Sequence, residues 1–267
     1  MAMNGNDIQR FIGINFGRYL WDKEYAFDPA RFSNPQLRIG LDINAGGNTG
    51  THNKIACYAS LFEERPGLLK GFLMAKEIKQ YTMASATHDY TDLPLDHRYR
   101  GLYFRPFLLG TEPCQAVTNI KLSEDQDKRI PFDLPGADIF RILQADLPIC
   151  EEMYYFTLGA ANKYIYCAPS SRVTGFSQAW GEAVADHRGA IYDGDGGRLK
   201  TIAYAAPWNA QVLIKGYVPH AVYQIPFGDK MDPSDWYDVG MLGSLKLDIT
   251  GAAAAKGFIF LQQERLY

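Results

Sequence analysis

An all-β fold is what this sequence predicts, and three observations predict it. Short runs alternate apolar and polar side chains at period two, the pattern of strands with one buried face. Leu37, Ile39, Leu41 and Ile43 share one face of Gln36 to Asn44, and Leu245, Leu247 and Ile249 alternate with Lys246, Asp248 and Thr250. Aromatic residues make up 13% of the 267 residues, with 17 Tyr and 15 Phe, side chains that fit a pleated, half-buried surface. The 25 Gly and 14 Pro are spread along the chain as turn punctuation.

Taken in order, Ile8 to Leu20 is β-leaning, with Gly13 and Gly17 at bulge positions. Gln36 to Asn44 reads as a strand, Ala45 to Asn53 as a glycine-rich loop, and Lys54 to Phe62 as a second strand closed by Arg65-Pro66-Gly67. Leu68 to Met83 reads as strand because Ile78, Tyr81 and Thr82 are β formers and no helix cap is present. Asp89 to Leu109 is a loop running into a strand, and Val117 to Leu122 pairs with Arg129 to Phe132 around the charged turn between them. Gly136 to Leu147 is the clearest short helix: Ile139, Ile142 and Leu143 fall on one face, Asp138 sits in its first turn and Pro148 ends it. Glu152 to Leu158, Lys163 to Cys167, Leu199 to Ala205 and Gln211 to Val218 read as strands. Phe176 to Asp186 reads as a second helix, weakened by Gly181. The C-terminal stretch holds three strands, at Val222 to Phe227, Leu245 to Ile249 and Phe258 to Leu261, with a long acidic loop between the first two.

Composition narrows the function classes. The apolar fraction of 47% supports a sizeable core, in one large β domain or two smaller ones. With a net charge of −3 and no block of Lys or Arg, the chain lacks the footprint of a nucleic-acid binder. Met1 to Arg10 has no apolar core of a secretory leader, and the longest uncharged stretch, Thr201 to Ile214, is broken by Pro207 and too short for a membrane span. A soluble, cytoplasmically made product is expected. Cys57, Cys114, Cys150 and Cys167 match no zinc spacing and read as reduced, mostly buried thiols.

Motifs for chemistry are weak. Gly175 to Ala179 is a relaxed nucleophile elbow around Ser177, with Asp195 and His220 downstream, but its last glycine is Ala179 and no βαβ alternation surrounds it. Asp193 to Gly197 resembles the head of a calcium loop, yet Tyr204 stands where the bidentate Glu belongs, so a glycine-permitted turn is the reading. His52, His88, His97, His187 and His220 form no ligand pair. Glu63-Glu64 and Glu151-Glu152 are adjacent carboxylates, which on strands point to opposite faces. Tyr154, Tyr155, Tyr164 and Tyr166 suit a core, an interface or a sugar groove. No catalytic, cofactor-binding or metal-ligating residue is assigned, and no cofactor is expected.

An internal echo bears on organisation. Tyr103, Pro106 and Phe107 recur as Tyr223, Pro226 and Phe227 at one constant offset, each set preceded by a Pro and a His and followed by Ile120-Lys121-Leu122 or Leu245-Lys246-Leu247. The echo reads as two copies of one β unit joined by the helix near residue 140.

Several segments resemble a known family. Leu93-Pro94 followed by Arg98 to Arg105, the hairpin Asn119 to Asp125, and Gly216 to Gly228 with Trp236 to Val239, Leu245 to Leu247 and Phe260 to Tyr267 are similar to segments of double jelly-roll major capsid proteins of tailless icosahedral, adenovirus-like viruses, bacteriophages included. The resemblance implies two tandem eight-stranded jelly rolls, at 1–147 and 148–267, with one or two short helices. It implies a homotrimer with a pseudo-hexagonal outline tiling an icosahedral shell in the virion, assembled in host cytoplasm. Implied partners are the chain itself, penton or minor capsid proteins and an internal membrane, with no specific nucleic acid and no enzymatic activity. The acidic loop Asp229 to Asp238 and the glycine loop Ala45 to Asn53 are expected at contacts between barrels or trimers. A lectin-like carbohydrate-binding sandwich is the alternative, and a β-sandwich hydrolase a further one.

Overall fold

The computed structural model describes residues 3–4, 7–8, 12–40, 54–64, 67, 69–158, 163–180, 190–192, 195–202 and 208–267. The strands are β1 (Met3–Asn4), β2 (Asp7–Ile8), β3 (Gly71–Thr82), β4 (His88–Asp92), β5 (Tyr99–Phe107), β6 (Val117–Glu124), β7 (Arg129–Pro135), β8 (Cys150–Leu158), β9 (Lys163–Tyr166), β10 (Ser171–Trp180), β11 (Ala190–Tyr192), β12 (Arg198–Ile202), β13 (Trp208–Tyr217), β14 (Tyr223–Pro226), β15 (Leu245–Gly251) and β16 (Lys256–Leu266). Two short helices, α1 (Pro113–Ala116) and α2 (Gly136–Asp146), precede β6 and follow β7.

Two four-stranded antiparallel sheets, β14-β5-β16-β3 and β4-β15-β6-β7, form the main sandwich. Among their eight strands the order is first, eighth, third, sixth in one sheet and second, seventh, fourth, fifth in the other. That nesting is a jelly roll, two Greek keys wrapped together. Strict alternation in β15, where Leu245, Leu247 and Ile249 are buried, supplies one inner face. Ile259 and Leu261 of β16 and Leu102 and Phe104 of β5 supply the other, with Ile120 and Leu122 opposite, all fully buried in one core. Each such side chain contributes roughly 1.5–3 kcal/mol of burial. Helix α2 closes one end of this core with Ile139, Phe140 and Leu143, and the Tyr223 hydroxyl donates to the Gly136 carbonyl at 3.3 Å.

The all-β class and the jelly-roll sandwich are as expected; the division at 147/148 is not. Both sheets join residues 71–135 to residues 223–266, so strands from the two ends of the chain interdigitate. The second unit, β8 to β13, is inserted between β7 and β14 as two three-stranded sheets, β10-β13-β8 and β11-β12-β9. Its nesting repeats that of the jelly roll: first, sixth, third, and second, fifth, fourth. Tyr154, Cys167, Leu199, Val212 and Ile214 form its core among the described residues.

The internal echo has the same origin. Tyr223 pairs with Phe104 and Pro226 with Gly101, while Leu247 pairs with Leu122 and Ile249 with Ile120. The echoing segments are therefore neighbours in one sheet. The match is one of order and not of facing in the first pair: Tyr223 is fully buried opposite Phe104, whereas Tyr103 is half-buried opposite Gln224.

Further expectations change, and two segments go undescribed. Phe176 lies inside β10, which runs to Trp180, so no helix begins there; β-ladder pairing to β13 overrides the helical pattern. Ile142 of α2 is exposed, the apolar face being Ile139, Phe140 and Leu143. Residues 12–20, 36–40 and 54–62 lie in no strand despite their strand-like patterns, because no described strand forms a ladder with them. The glycine loop Ala45 to Asn53 and residues 181–189 lie outside the described residues. The strand expected over Leu68 to Met83, and the hairpin of β6 and β7, are present.

Residues 16–32 are held against the jelly roll without forming a strand. Tyr25 bridges Gly71, the Leu73 amide donates to the Phe16 carbonyl at 2.7 Å, and the Lys70 amide donates to the Glu24 carbonyl at 2.8 Å. Phe16, Phe27, Phe32, Phe72 and Tyr267 form a chain of ring contacts with centroids 4.9–5.8 Å apart. Gly71 is required here, since a Cβ would sit 2.1 Å from the Arg265 carbonyl oxygen.

Candidate functional site

Three places hold the residues that the sequence singles out. The first is the acidic loop Asp229 to Asp238 between β14 and β15. It turns at Gly228, whose φ of +72° suits glycine and whose Cβ would lie 2.1 Å from the Asp235 carbonyl oxygen. Each carboxylate then satisfies a nearby amide. Asp229 accepts from the Met231 N–H at 2.8 Å, Asp232 from Ser234 at 2.9 Å, Asp235 from Asp229 at 2.6 Å and Asp238 from Gly240 at 3.0 Å. The Ser234 hydrogen bonds hold Asp232 below its ordinary range, and the Gly240 amide with Arg98 does so for Asp238. The loop is knitted by its own acids, each of which satisfies a backbone amide of the same loop or its border.

The loop also anchors the N-terminal segment. Trp236 is buried beside Tyr25 and Leu73, its ring 5.6 Å from that of Tyr25, and its indole N–H donates to the Asp229 carbonyl at 3.1 Å. The Tyr25 hydroxyl donates to the buried Glu264 carboxylate at 2.5 Å. Burial, with the neighbouring Glu264, raises the Tyr25 pKa. Arg18 reaches the Met231 carbonyl at 3.1 Å and clasps Asp22 with Nε at 2.7 Å and Nη2 at 2.9 Å. Burial opposes the Asp22 charge, yet Arg18 and the amides of Glu24 and Arg18 hold its pKa at about 2. Sequence reasoning missed this clamp. Arg18, Asp22, Tyr25, Trp236 and Glu264 share no periodicity, and only the fold assembles them.

The second place is the inserted sandwich. Ser177 lies in the middle of β10, paired with Val212, so the strand-turn-helix elbow that would activate it is absent. Asp195 stands in a turn with Gly196 at φ +59° and Gly197 at φ +73°, the glycine-permitted turn expected. His220 and its neighbours Val218 and Ala221 adopt left-handed backbone where the chain returns to the jelly roll. The Ala168 carbonyl and the Ser170 hydroxyl hold the amides of His220 and Ala221 at 2.6 and 2.8 Å. Glu151 pairs with Lys215 at 2.7 Å, while Glu152 turns the other way to the Tyr154 hydroxyl and the Ala168 amide, as alternation predicts. Tyr154 is buried, whereas Tyr164 and Tyr166 are half exposed, with Arg198 4.9 Å from the Tyr164 ring centroid. Burial pushes the Cys167 thiol up to about 12; of the four free cysteines, expected mostly buried, only Cys167 is buried, Cys114 and Cys150 are half-buried and Cys57 is exposed.

The third place is the exposed side of β4 and β15. His88 Nδ1 lies 2.9 Å from Asp248, and its ring stacks on Tyr90 with centroids 5.8 Å apart. His97 approaches Asp96 only at 4.0 Å; His52 and His187 lie outside the described residues. Glu63 and Glu64 are exposed. Among the described residues no three His, Cys, Asp or Glu side chains converge as metal ligands, and no helix is long and apolar enough to cross a membrane. What the described surface offers in quantity is apolar area. More than half of its exposed large apolar side chains lie within residues 12–61, among them Ile12, Trp21, Leu37, Ile55, Tyr58 and Leu61.

No protein-family model and no curated protein matches the chain. Among solved structures, the crystal structure of the STIV MCP aligns over 72% of this chain at 11% identity with a TM-score of 0.38. The atomic structure of Sulfolobus turreted icosahedral virus aligns over 72% at 10% identity and 0.38, and the major capsid protein P2 from bacteriophage PM2 over 73% at 11% identity and 0.23. The chain spans about half the length of the first two, 48% and 45%, and the alignment spans 98% of the third.

Proposed function

We propose that this chain is a viral major capsid protein whose homotrimers tile an icosahedral shell. One observation carries the reading. In chain order a complete jelly roll is interrupted by a second sandwich of the same nesting, which supports a reading of two barrels per chain. Three such chains present six barrels around a three-fold axis, a pseudo-hexagonal tile. Its partners are then copies of itself, penton or minor capsid proteins and an internal membrane. The chain works as a structural protein of the virion, assembled in host cytoplasm. The exposed Met231 and Met241, at and beside the acidic loop, and the apolar side chains of residues 12–61 provide contact surface of the kind a shell requires.

Negative-stain electron microscopy of the purified protein tests this. Trimers with a six-cornered outline, or shells built from them, are the expected result. Compact monomers at every concentration would overturn it.

A second reading, carbohydrate binding, is favoured by Tyr164 and Tyr166, half exposed at alternate positions of β9. Glycan binding by the isolated monomer, lost in Tyr164→Ala, would select it over the shell reading.

A further inference from the structure

Among the described residues the inserted sandwich stops two strands short of a jelly roll. In the complete roll, β14 flanks β5 and β7 flanks β6. The matching strands of the insert, β10 and β11, end their sheets without such a neighbour among the described residues. The intervening chain cannot supply the two strands, because only residues 193–197 separate β11 from β12. An edge of this kind exposes a row of unpaired N–H and C=O groups, a template for an added strand.

The chain also carries strand-patterned sequence that sits in no sheet. Residues 54–62 place Ile55, Cys57, Ala59 and Leu61 on one side, lie in no strand and stay exposed as far as Leu61, with Tyr58 91% and Leu61 77% exposed. The segment carries one charge, Lys54 at its end, so adding it to a sheet desolvates little charge. It is tethered at its C-terminal end, where the Phe62 ring meets that of Trp21 at 5.6 Å and the Lys70 amide is fixed to the Glu24 carbonyl at 2.8 Å, while residues 54–61 stay exposed. Its length matches the ten-residue β10. A strand of this length buries on the order of 800 Å² on its own side, what a stable interface needs from each partner.

We propose that residues 54–62 of one copy add as a strand to the outer edge of β10 in a second copy, which has no neighbour among the described residues, and so supply by exchange one of the two strands that the insert lacks. The proposal does not rest on the shell reading, since any oligomer closed by exchange satisfies it. Exposed Cys57 lies in the donated segment and serves as its own probe.

The test introduces one cysteine at a time along β10, from Thr174→Cys through Gln178→Cys, in the full chain. Isotope-labelled and unlabelled protein are mixed, oxidised mildly and mapped by mass spectrometry. Disulfides between Cys57 and alternate β10 positions are expected, in peptide pairs that carry one label of each kind. Leu61→Asp should weaken association by at least about tenfold, since a buried carboxylate at that face opposes pairing. It should leave the melting of the protomer unchanged. Same-label pairs only, association without a cross-link at any position, or a monomer at every concentration would overturn the proposal. Cross-linked oligomers that never form shells would uphold the exchange and remove the shell reading; shells without the cross-link would do the reverse.

Discussion

Replacing Asp22 by Asn tests the clamp that ties the N-terminal segment to the jelly roll. The Asp22 carboxylate is fully buried and accepts Arg18 Nε at 2.7 Å, Nη2 at 2.9 Å, and the amides of Arg18, Glu24 and Tyr25 at 3.1, 3.0 and 3.3 Å. Removing one partner of a buried ion pair costs about 3–5 kcal/mol. Arg18 keeps Glu24 at 2.9 Å and the Met231 carbonyl at 3.1 Å, which places the expected loss near the lower end, about 3 kcal/mol. The pH dependence gives an independent check. Asp22 is held at about 2 against an ordinary 3.8. A depressed carboxylate stabilises the fold above its unfolded pKa, and that contribution disappears as the pH falls through the folded value. The wild-type advantage should therefore be full above pH ~4 and shrink by about 2 kcal/mol on acidification toward pH ~2. Urea unfolding followed by tryptophan fluorescence is the assay, because Trp236 sits inside the clamp. Equal midpoints for wild type and variant near neutrality, or a difference that does not shrink in acid, would refute the reasoning.

Three further outcomes are expected. Leu247→Ala opens a cavity between the sheets at a fully buried site and should cost about 2–5 kcal/mol in the same assay, whereas Tyr58→Ala should stay within about 0.5 kcal/mol. Gly228→Ala places a methyl 2.1 Å from the Asp235 oxygen at a φ of +72° and should cost about 1–3 kcal/mol, read as faster hydrogen exchange over residues 229–238. In the dissociated protomer a thiol reagent should label Cys57 first and Cys167 last; Cys167 is buried with its thiol pushed up to about 12, so labelling it as fast as Cys57 would contradict the packing.

The clamp was illegible in the sequence for a definable reason. Arg18 and Asp22 stand four residues apart and look like a surface pair, but Arg18 reaches the Met231 carbonyl and the neighbouring Tyr25 packs on Trp236 and donates to Glu264, all more than two hundred residues away. The strand patterns at Leu37 and Ile39 and at Lys54 to Phe62 were legible, yet a pattern states only which face wants burial. A strand also needs a partner edge, and none of the described edges meets them.

By itself the sequence determined the local alternatives. The period-two runs of β5, β6, β15 and β16 and the helical face of α2 follow from side-chain order, because alternation alone decides which face a strand buries. The turns at Gly196, Gly197 and Gly228 follow from residues that accept left-handed backbone. Which strands lie side by side was decided only in three dimensions. Y-x-x-P-F occurs twice whether its copies belong to two barrels or to neighbouring strands of one. Pairing of Tyr223 with Phe104 and of Leu247 with Leu122 chose the latter. Ladder formation depends on closing loops of more than a hundred residues, and the cost of closure grows only slowly with length. Packing across the whole core therefore chose the partners, and it placed the second sandwich inside the first rather than after it.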